Sequence, residues 1–104
     1  MIKVSVLYPQ DSSDTFDLDY YKTKHMPMVA ELTGSACLAW GADSGLAGGA
    51  PGQPPAFSCI GWLHFDSVES FQGAFGPHVA QIMGDIPNYT KTTPIVQISE
   101  VVVG

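Results

Sequence analysis

Runs of apolar residues, alternating or continuous, predict four β-strands along the chain. The first run is dense in β-branched residues and is stopped by Pro9. The third is apolar on both of its alternating faces, and the fourth ends in a run of valines. The strands are predicted at residues 2–8 (IKVSVLY), 36–41 (ACLAWG), 57–65 (FSCIGWLHF) and 93–103.

Helix start and stop signals lie between the first two strands. Asp17 is predicted to be the N-cap, with Phe16 and Tyr21 forming a hydrophobic staple across the first turn. Pro27 has no backbone N–H, so the helix is expected to break one or two residues before it and to restart as a short stretch. Gly34 is the predicted stop of that stretch.

A second helix is predicted from apolar residues that recur at three- and four-residue steps over 68–82. Asp66 is the predicted N-cap and forms a capping box with Glu69. The Gly-Pro pair at 76–77 is expected to interrupt the helical face, and Gly84 is expected to end it.

The order of elements is therefore strand, helix, strand, strand, helix, strand, which is typical of an α+β, ferredoxin-like βαββαβ fold with a four-stranded antiparallel sheet. We expect one domain spanning residues 1–104, with a long Gly- and Pro-rich loop over 43–56. Two helices cover only one face of such a sheet, yet strands one, three and four carry apolar residues in both registers. We therefore predict that a second copy covers the other face, forming a homodimer.

The composition supports a sheet face covered by a second copy, and it excludes some classes of binding partner. Only 13% of the residues are charged, about half the usual fraction for a soluble domain. The net charge is −6, with four lysines and no arginine, which excludes a nucleic-acid interface and a guanidinium clamp for an anionic substrate.

Two further features of the sequence indicate where in the cell the protein is expected. No apolar run approaches the length of a membrane span, and the N-terminus lacks a signal-peptide pattern, so no membrane association and a cytoplasmic location are expected. Cys37 and Cys59 lie in apolar stretches and are expected to be small buried thiols.

Two sequence segments resemble the EthD (ethyl tert-butyl ether degradation protein-like) family. FDLDYYKTKHMPMV, residues 16–29, is similar to the opening helix of that family, and its core is formed by Tyr21, His25 and Pro27. GDIPNYTKTTPIVQISEV, residues 84–101, is similar to the closing connector and strand. The resemblance implies a dimeric α/β barrel whose two sheets close around a cleft for a small apolar or aromatic compound. Similar folds include methylmuconolactone isomerases, cofactor-free monooxygenases, polyketide cyclases and fungal EthD-type dehydratases, so the fold implies no single reaction.

His25 and Tyr21 are the candidate catalytic residues. They are four positions apart, hence on one helical face, and imidazole suits acid–base chemistry near neutral pH. The alternative is that His25 only ties down the helix break by bonding loose backbone groups. The resemblance favours catalysis, since related isomerases are thought to use a histidine in this region.

Trp40, Trp62, His78 and Tyr89 are the candidate ligand-binding residues. The two indoles lie on neighbouring strands and could form a flat wall for a planar ligand, with core packing as the alternative. His78 could line a pocket or lie on the helix surface, and Tyr89 could place its hydroxyl in the pocket. Asp85 is expected to hold the connector turn. No histidine shares a metal-type spacing with another ligand, so no metal and no cofactor are predicted.

Three functions remain open from the sequence. The first is a cofactor-independent isomerase, dehydratase or monooxygenase-type enzyme that acts on a small oxygenated organic compound in catabolism. The second is a non-catalytic accessory or ligand-binding protein of a monooxygenase system, such as one for ether degradation. The third, a haem-binding module, has no support beyond a lone histidine.

Overall fold

A computed structural model describes all 104 residues and has the predicted order of elements. The first helix is built from two α-helical pieces around one π-helical turn, and the second from two α-helical pieces around one 3₁₀ turn. The strands are β1 (Ile2–Pro9), β2 (Ala39–Ser44), β3 (Phe57–Phe65) and β4 (Ile95–Glu100). The α-helices are α1 (Leu18–Tyr20), α2 (Met26–Thr33), α3 (Val68–Phe75) and α4 (Val79–Gly84). The π-helical turn is Tyr21–His25, and the 3₁₀ turns are Gly34–Ala36, Gly76–His78 and Ile86–Asn88.

The four strands form one antiparallel sheet in the order β2-β3-β1-β4, which confirms the ferredoxin-like α+β fold. All the helices lie on one face. The core between them and the sheet has two parts that meet along β1 and β3. One part is aliphatic and phenylalanine-rich, with Ile2, Val4, Val29, Leu63, Phe65 and Ile82 buried; the other holds Tyr8, Tyr21, Met26, Cys59 and Tyr89. No helix reaches the length and apolar character that crossing a membrane requires.

The first helix begins as predicted, but the predicted break before Pro27 is wrong. The Asp17 carboxylate accepts a hydrogen bond from the Tyr20 N–H at 3.0 Å, and the Phe16 and Tyr21 rings are in contact with centroids 5.2 Å apart. The chain then widens into the π-helical turn, in which the Met26 N–H donates to the Tyr21 carbonyl five residues back. Pro27 consequently occupies the first turn of α2, where a missing N–H disrupts least, and the helix stays continuous.

Other boundaries also differ from the sequence prediction, and β2 extends to Ser44, into the predicted loop over 43–56. Strand β2 begins three residues later than expected, because Gly34, with φ of 62°, ends α2 and leads into a 3₁₀ turn. The N-cap of α3 is Ser67, whose hydroxyl accepts from the Ser70 N–H, and not Asp66. Strand β4 ends at Glu100, and the following Val102 and Val103 are exposed.

The open face of the sheet is the side opposite the helices, and it is less apolar than the sequence suggested. One cross-strand row carries Ile60, Leu7 and Ile95, and Trp62 lies in the next row beside Ser5. The remaining positions of β1, β3 and β4 on this face are mostly polar, namely Lys3, Ser58, His64, Gln97 and Ser99. The apolar character is therefore concentrated in one half of the open face.

Gly61 in β3 is required for the close approach of the first helix to the sheet. It is buried, and a Cβ built at this position would overlap the Tyr21 hydroxyl. We expect Gly61→Ala to push Tyr21 off the sheet and to lower the free energy of unfolding by about 1–3 kcal/mol, the usual cost of overpacking a core. Urea denaturation followed by far-UV circular dichroism measures this.

Gly73 provides the matched control, because it lies within α3 and nothing approaches a Cβ built there. Gly73→Ala should raise the free energy of unfolding by about 0.4–1 kcal/mol through the smaller entropy of the unfolded chain. Equal stability of the Gly61→Ala and Gly73→Ala proteins would contradict the close packing of Tyr21 on β3.

Candidate functional site

Asp85 gathers the polar side chains of the site around one carboxylate. It lies just after α4, and its Oδ1 accepts the Tyr20 hydroxyl at 2.7 Å and the Asn88 side-chain amide at 2.8 Å. Its Oδ2 lies 2.9 Å from Nδ1 of His25, whose side chain is only 5% exposed. The carboxylate therefore joins the connector after α4 to the π-helical turn, 60 residues earlier in the chain.

The protonation states of this pair follow from their surroundings. Burial alone would raise the pKa of Asp85, but hydrogen bonds from Tyr20, His25 and Asn88 outweigh it and hold the pKa below its ordinary value. Burial lowers the pKa of His25, and the neighbouring Asp85 offsets this only in part. At neutral pH the pair is thus an ionised carboxylate and a neutral imidazole, joined by a hydrogen bond.

A cage of aromatic rings surrounds the imidazole. The Tyr21 ring stacks on His25 with centroids 5.4 Å apart and planes 17° from parallel, and the Tyr89 ring lies 4.7 Å away. The Tyr89 hydroxyl is 3.3 Å from Nε2 of His25 and 2.6 Å from the Tyr8 hydroxyl. Burial raises the pKa of all three tyrosines, that of Tyr8 to about 12, so their hydroxyls stay protonated at neutral pH.

The π-helical turn contains both Tyr21 and His25. Residues four apart lie on one helical face, and Tyr21 and His25 are the first and last residues of this turn. Both residues are consequently buried on the same side of the helix, as the sequence predicted from their spacing. Lys22, Thr23 and Lys24 between them are exposed.

An apolar cavity of about 240 Å³ lies between the helices and the sheet and reaches His25. Fourteen of its 15 lining residues are hydrophobic, and His25 is the exception. The lining comes from β1, β3 and β4, from the first helix, and from the second helix with the turn after it: Val4, Val6, Tyr8, Tyr21, His25, Met26, Val29, Leu63, Phe71, Phe75, Val79, Ile82, Met83, Ile86 and Val96. The cavity is on the helix-covered face within one chain, not on the open face where the resemblance implied a cleft between two sheets.

The structure brings some of the candidate site residues together and separates others. His25 and Tyr21 both line the cavity. Tyr89 does not line it, but its hydroxyl lies 3.3 Å from Nε2 of His25. Trp40 and Trp62 lie on paired strands, but Trp40 is opposite Leu63 on the helix-covered face and Trp62 is opposite Gly41 on the open face. The two indoles therefore form no common wall.

Neither Trp40, Trp62 nor His78 lines the cavity. Trp40 is 43% exposed near the edge of the sheet, and Trp62 packs on Gly41 with the Lys3 ammonium 5.3 Å from its ring. His78 is half-buried in the 3₁₀ turn between α3 and α4. Their binding to a ligand stays a prediction.

Sequence reasoning missed Tyr8 and assigned Asp85 only to the turn. Tyr8 is the last residue of the first predicted strand, and nothing local marks its contact with Tyr89, 81 residues away. Asp85 does hold the turn, since the Asn88 N–H donates to its carbonyl at 3.0 Å, but its side chain also fixes His25. Only the pairing of the connector with the first helix shows this second role.

Comparison with known proteins agrees with this architecture. The chain superimposes on an EthD-like protein from Ralstonia eutropha JMP134 with a TM-score of 0.93 and 50% sequence identity, over 98% of this chain and 92% of that one. It also shares its fold with an ethyl tert-butyl ether D (EthD) family protein from Bacillus halodurans C-125, at a TM-score of 0.68 and 18% identity, over 98% and 99% of the two chains. No protein of curated function matches.

The EthD domain model matches residues 9–93, a span that contains His25, Asp85 and Tyr89 and most of the cavity lining. By this match, and by the fold built above, the chain belongs to the EthD family.

Proposed function

We propose that this protein is a cofactor-independent enzyme that moves a proton on a small, neutral, mostly apolar organic compound held in the cavity, with His25 as the base. The observation that carries the proposal is that the one ionisable base in an otherwise hydrophobic lining is oriented by a partly buried carboxylate. A base held in one tautomer by a third group is the usual arrangement for acid–base catalysis. Isomerisation, dehydration and cofactor-free oxygenation all include removal of a proton next to an oxygen function.

The volume and lining of the cavity also indicate the size and charge of the substrate. An apolar cavity of about 150 Å³ accepts benzene, so 240 Å³ suits a compound of about ten non-hydrogen atoms. None of the four lysines lines the cavity, and the chain has no arginine. A carboxylate placed there would be desolvated without a cationic partner, which favours neutral ketones, lactones or ethers.

A second candidate, a ligand-binding accessory protein without catalysis, is supported by a different observation. Both ring nitrogens of His25 already have partners inside the chain, Asp85 and Tyr89. In that case the cavity would hold a small apolar compound for another protein, and His25 would only stabilise the site. A role in catabolism, including ether degradation, is compatible with either candidate.

Exchange of hydrogen for deuterium tests the catalytic proposal directly. The probe is 2-indanone, a neutral ketone of suitable size whose hydrogens next to the carbonyl exchange in D₂O. We expect the protein to accelerate this exchange and His25→Gln to lower the rate by about 10²–10⁴-fold, the usual contribution of a general base. Proton NMR of the ketone measures the rate, and methyl shifts of Val29 and Ile82 report its binding.

His64→Gln is the matched control, because His64 lies on the open face, on the far side of the sheet from the cavity. It should leave the exchange rate unchanged. Bound 2-indanone that exchanges equally fast with the unsubstituted and the His25→Gln protein would reject catalysis in favour of the accessory role. Failure of 2-indanone to shift any cavity methyl would reject the proposed substrate class.

The pH dependence of this exchange follows from the lowered pKa of His25. The imidazole must be neutral to accept a proton, and burial moves its pKa below the ordinary value of 6.5. Asp85, Tyr21 and Tyr89 face the imidazole, and their own pKa values are shifted away from the neutral range. We therefore expect the rate to stay constant as the pH falls to 6.5 and to decline only below it. A decline centred at or above pH 6.5 would contradict the neutral buried imidazole.

We further propose that the protein forms a homodimer through the open face of the sheet. The support is the apolar row of Ile60, Leu7 and Ile95, which no helix of the same chain covers. Leu7→Lys should convert the dimer to a monomer of 11.1 kDa in sedimentation velocity, because a lysine in that row would be buried without a partner. Leu46→Lys, in the loop after β2 and 93% exposed, should leave the dimer intact. An unsubstituted protein that sediments as a monomer would contradict the proposal.

A further inference from the structure

His25 reaches the cavity with both ring nitrogens engaged inside the chain, Nδ1 by Asp85 and Nε2 by Tyr89. A base that acts directly needs a free nitrogen directed at its substrate. The arrangement thus raises the question of which atom exchanges the proton with a bound compound.

The donors and acceptors of this chain of hydrogen bonds can be assigned in order. An ionised Asp85 only accepts, so Nδ1 of His25 carries the proton and donates it at 2.9 Å. In a neutral imidazole Nε2 is then the acceptor, and the Tyr89 hydroxyl must donate to it. The Tyr89 oxygen is left to accept from the Tyr8 hydroxyl at 2.6 Å. Every donor therefore points toward Asp85.

We propose that Tyr89 and Tyr8 form a proton relay through which His25 acts on a compound in the cavity. Tyr8 lines the cavity, Tyr89 does not, and the Tyr8 hydroxyl is hydrogen-bonded through the Tyr89 hydroxyl to Nε2 of His25. The inference rests on the proposed function and adds two residues to it. Tyr8 is the residue that exchanges the proton with the compound, and Tyr89 is the link between Tyr8 and the base.

The transfer balances without any other reactant. A C–H bond next to the carbonyl of the bound compound breaks, its proton moves to the Tyr8 oxygen, and its electron pair forms the enolate. The Tyr8 proton passes to Tyr89 and the Tyr89 proton to Nε2, so both hydroxyls end neutral and His25 becomes an imidazolium beside the Asp85 carboxylate. Reversal returns a proton to the enolate, at the same atom for exchange or at another atom for isomerisation.

The surroundings of the hydroxyls favour a relay over an independent tyrosinate base. Tyr8 is 1% exposed and Tyr89 is 2% exposed, and the rings of Phe16, Tyr20 and Tyr21 enclose Tyr89. Burial makes a charge on either oxygen costly, which is why the pKa of each hydroxyl is raised. Passing a proton along leaves no such charge, and the positive charge is placed where Asp85 neutralises it.

Tyr89→Phe tests the link, because it keeps the ring and its packing and removes only the hydroxyl. Deuterium exchange into bound 2-indanone should fall by about 10²-fold. The pKa of His25, measured by NMR titration, should rise by about 0.5–1 unit, because the lost O–H donor favoured the neutral ring. Ring signals of His64 and His78 in the same spectra are the internal controls.

Tyr8→Phe separates the relay from mere support of His25. It should lower the exchange rate as much as Tyr89→Phe does, yet leave the pKa of His25 near that of the unsubstituted protein, since Tyr89 still donates to Nε2. Methyl shifts of Val29 and Ile82 on adding 2-indanone confirm that both variants still fold and bind.

The outcomes distinguish this inference from the proposed function. If His25→Gln abolishes exchange while either phenylalanine variant exchanges at the full rate, the relay is wrong and the proposed function stands. If the unsubstituted protein gives no acceleration over His25→Gln, the proposed function fails first. Nitrogen-15 shifts of His25 that place the proton on Nε2 would also overturn the relay, whatever the rates.

Discussion

The hydrogen bonds to the Asp85 carboxylate are the interaction on which the rest of the site depends. Three donors from two distant parts of the chain converge on one side chain: the Tyr20 hydroxyl, the His25 imidazole and the Asn88 amide. Their combined effect keeps the carboxylate ionised despite its partial burial. An ionised carboxylate fixes the tautomer of His25, and the tautomer in turn sets the direction of every hydrogen bond beyond it.

The π-helical turn carries His25, one of the three donors to this carboxylate. Tyr21 and His25 are the first and last residues of this turn, both are buried, and their rings stack with planes 17° from parallel. The π-helical turn ends two residues before Pro27, so Pro27 lies in the first turn of α2, where its missing N–H disrupts least. Such turns are found often at functional sites, and here the turn contains both residues that the sequence indicated for catalysis.

The features that the sequence predicted correctly are those that depend on residues close together in the chain. Strand β3 has the predicted bounds because two prolines, at 54 and 55, lie just before its apolar run and Asp66 follows it. Strand β2 was shifted because it is an edge strand whose exposed residues carry no apolar pattern, and only backbone pairing with β3 places it. His25 and Tyr21 were found from helical spacing, but Tyr8 and the second role of Asp85 depend on contacts across 60 residues or more. The two tryptophans show the same limit, since a shift of one residue in pairing decides which face each indole takes.

The sheet separates two surfaces, the cavity and the face that favours a second copy, which the family resemblance places in one cleft. The cavity, with the hydrogen-bonded chain that ends at it, lies wholly on the helix-covered side. The apolar row that favours a second copy lies on the other side, and Trp62 lies with it. A twin packed on the open face would therefore cover that row without adding a side chain to the site or closing over His25. Association and proton transfer would then be independent properties of this chain, joined only through the stability of the sheet between them.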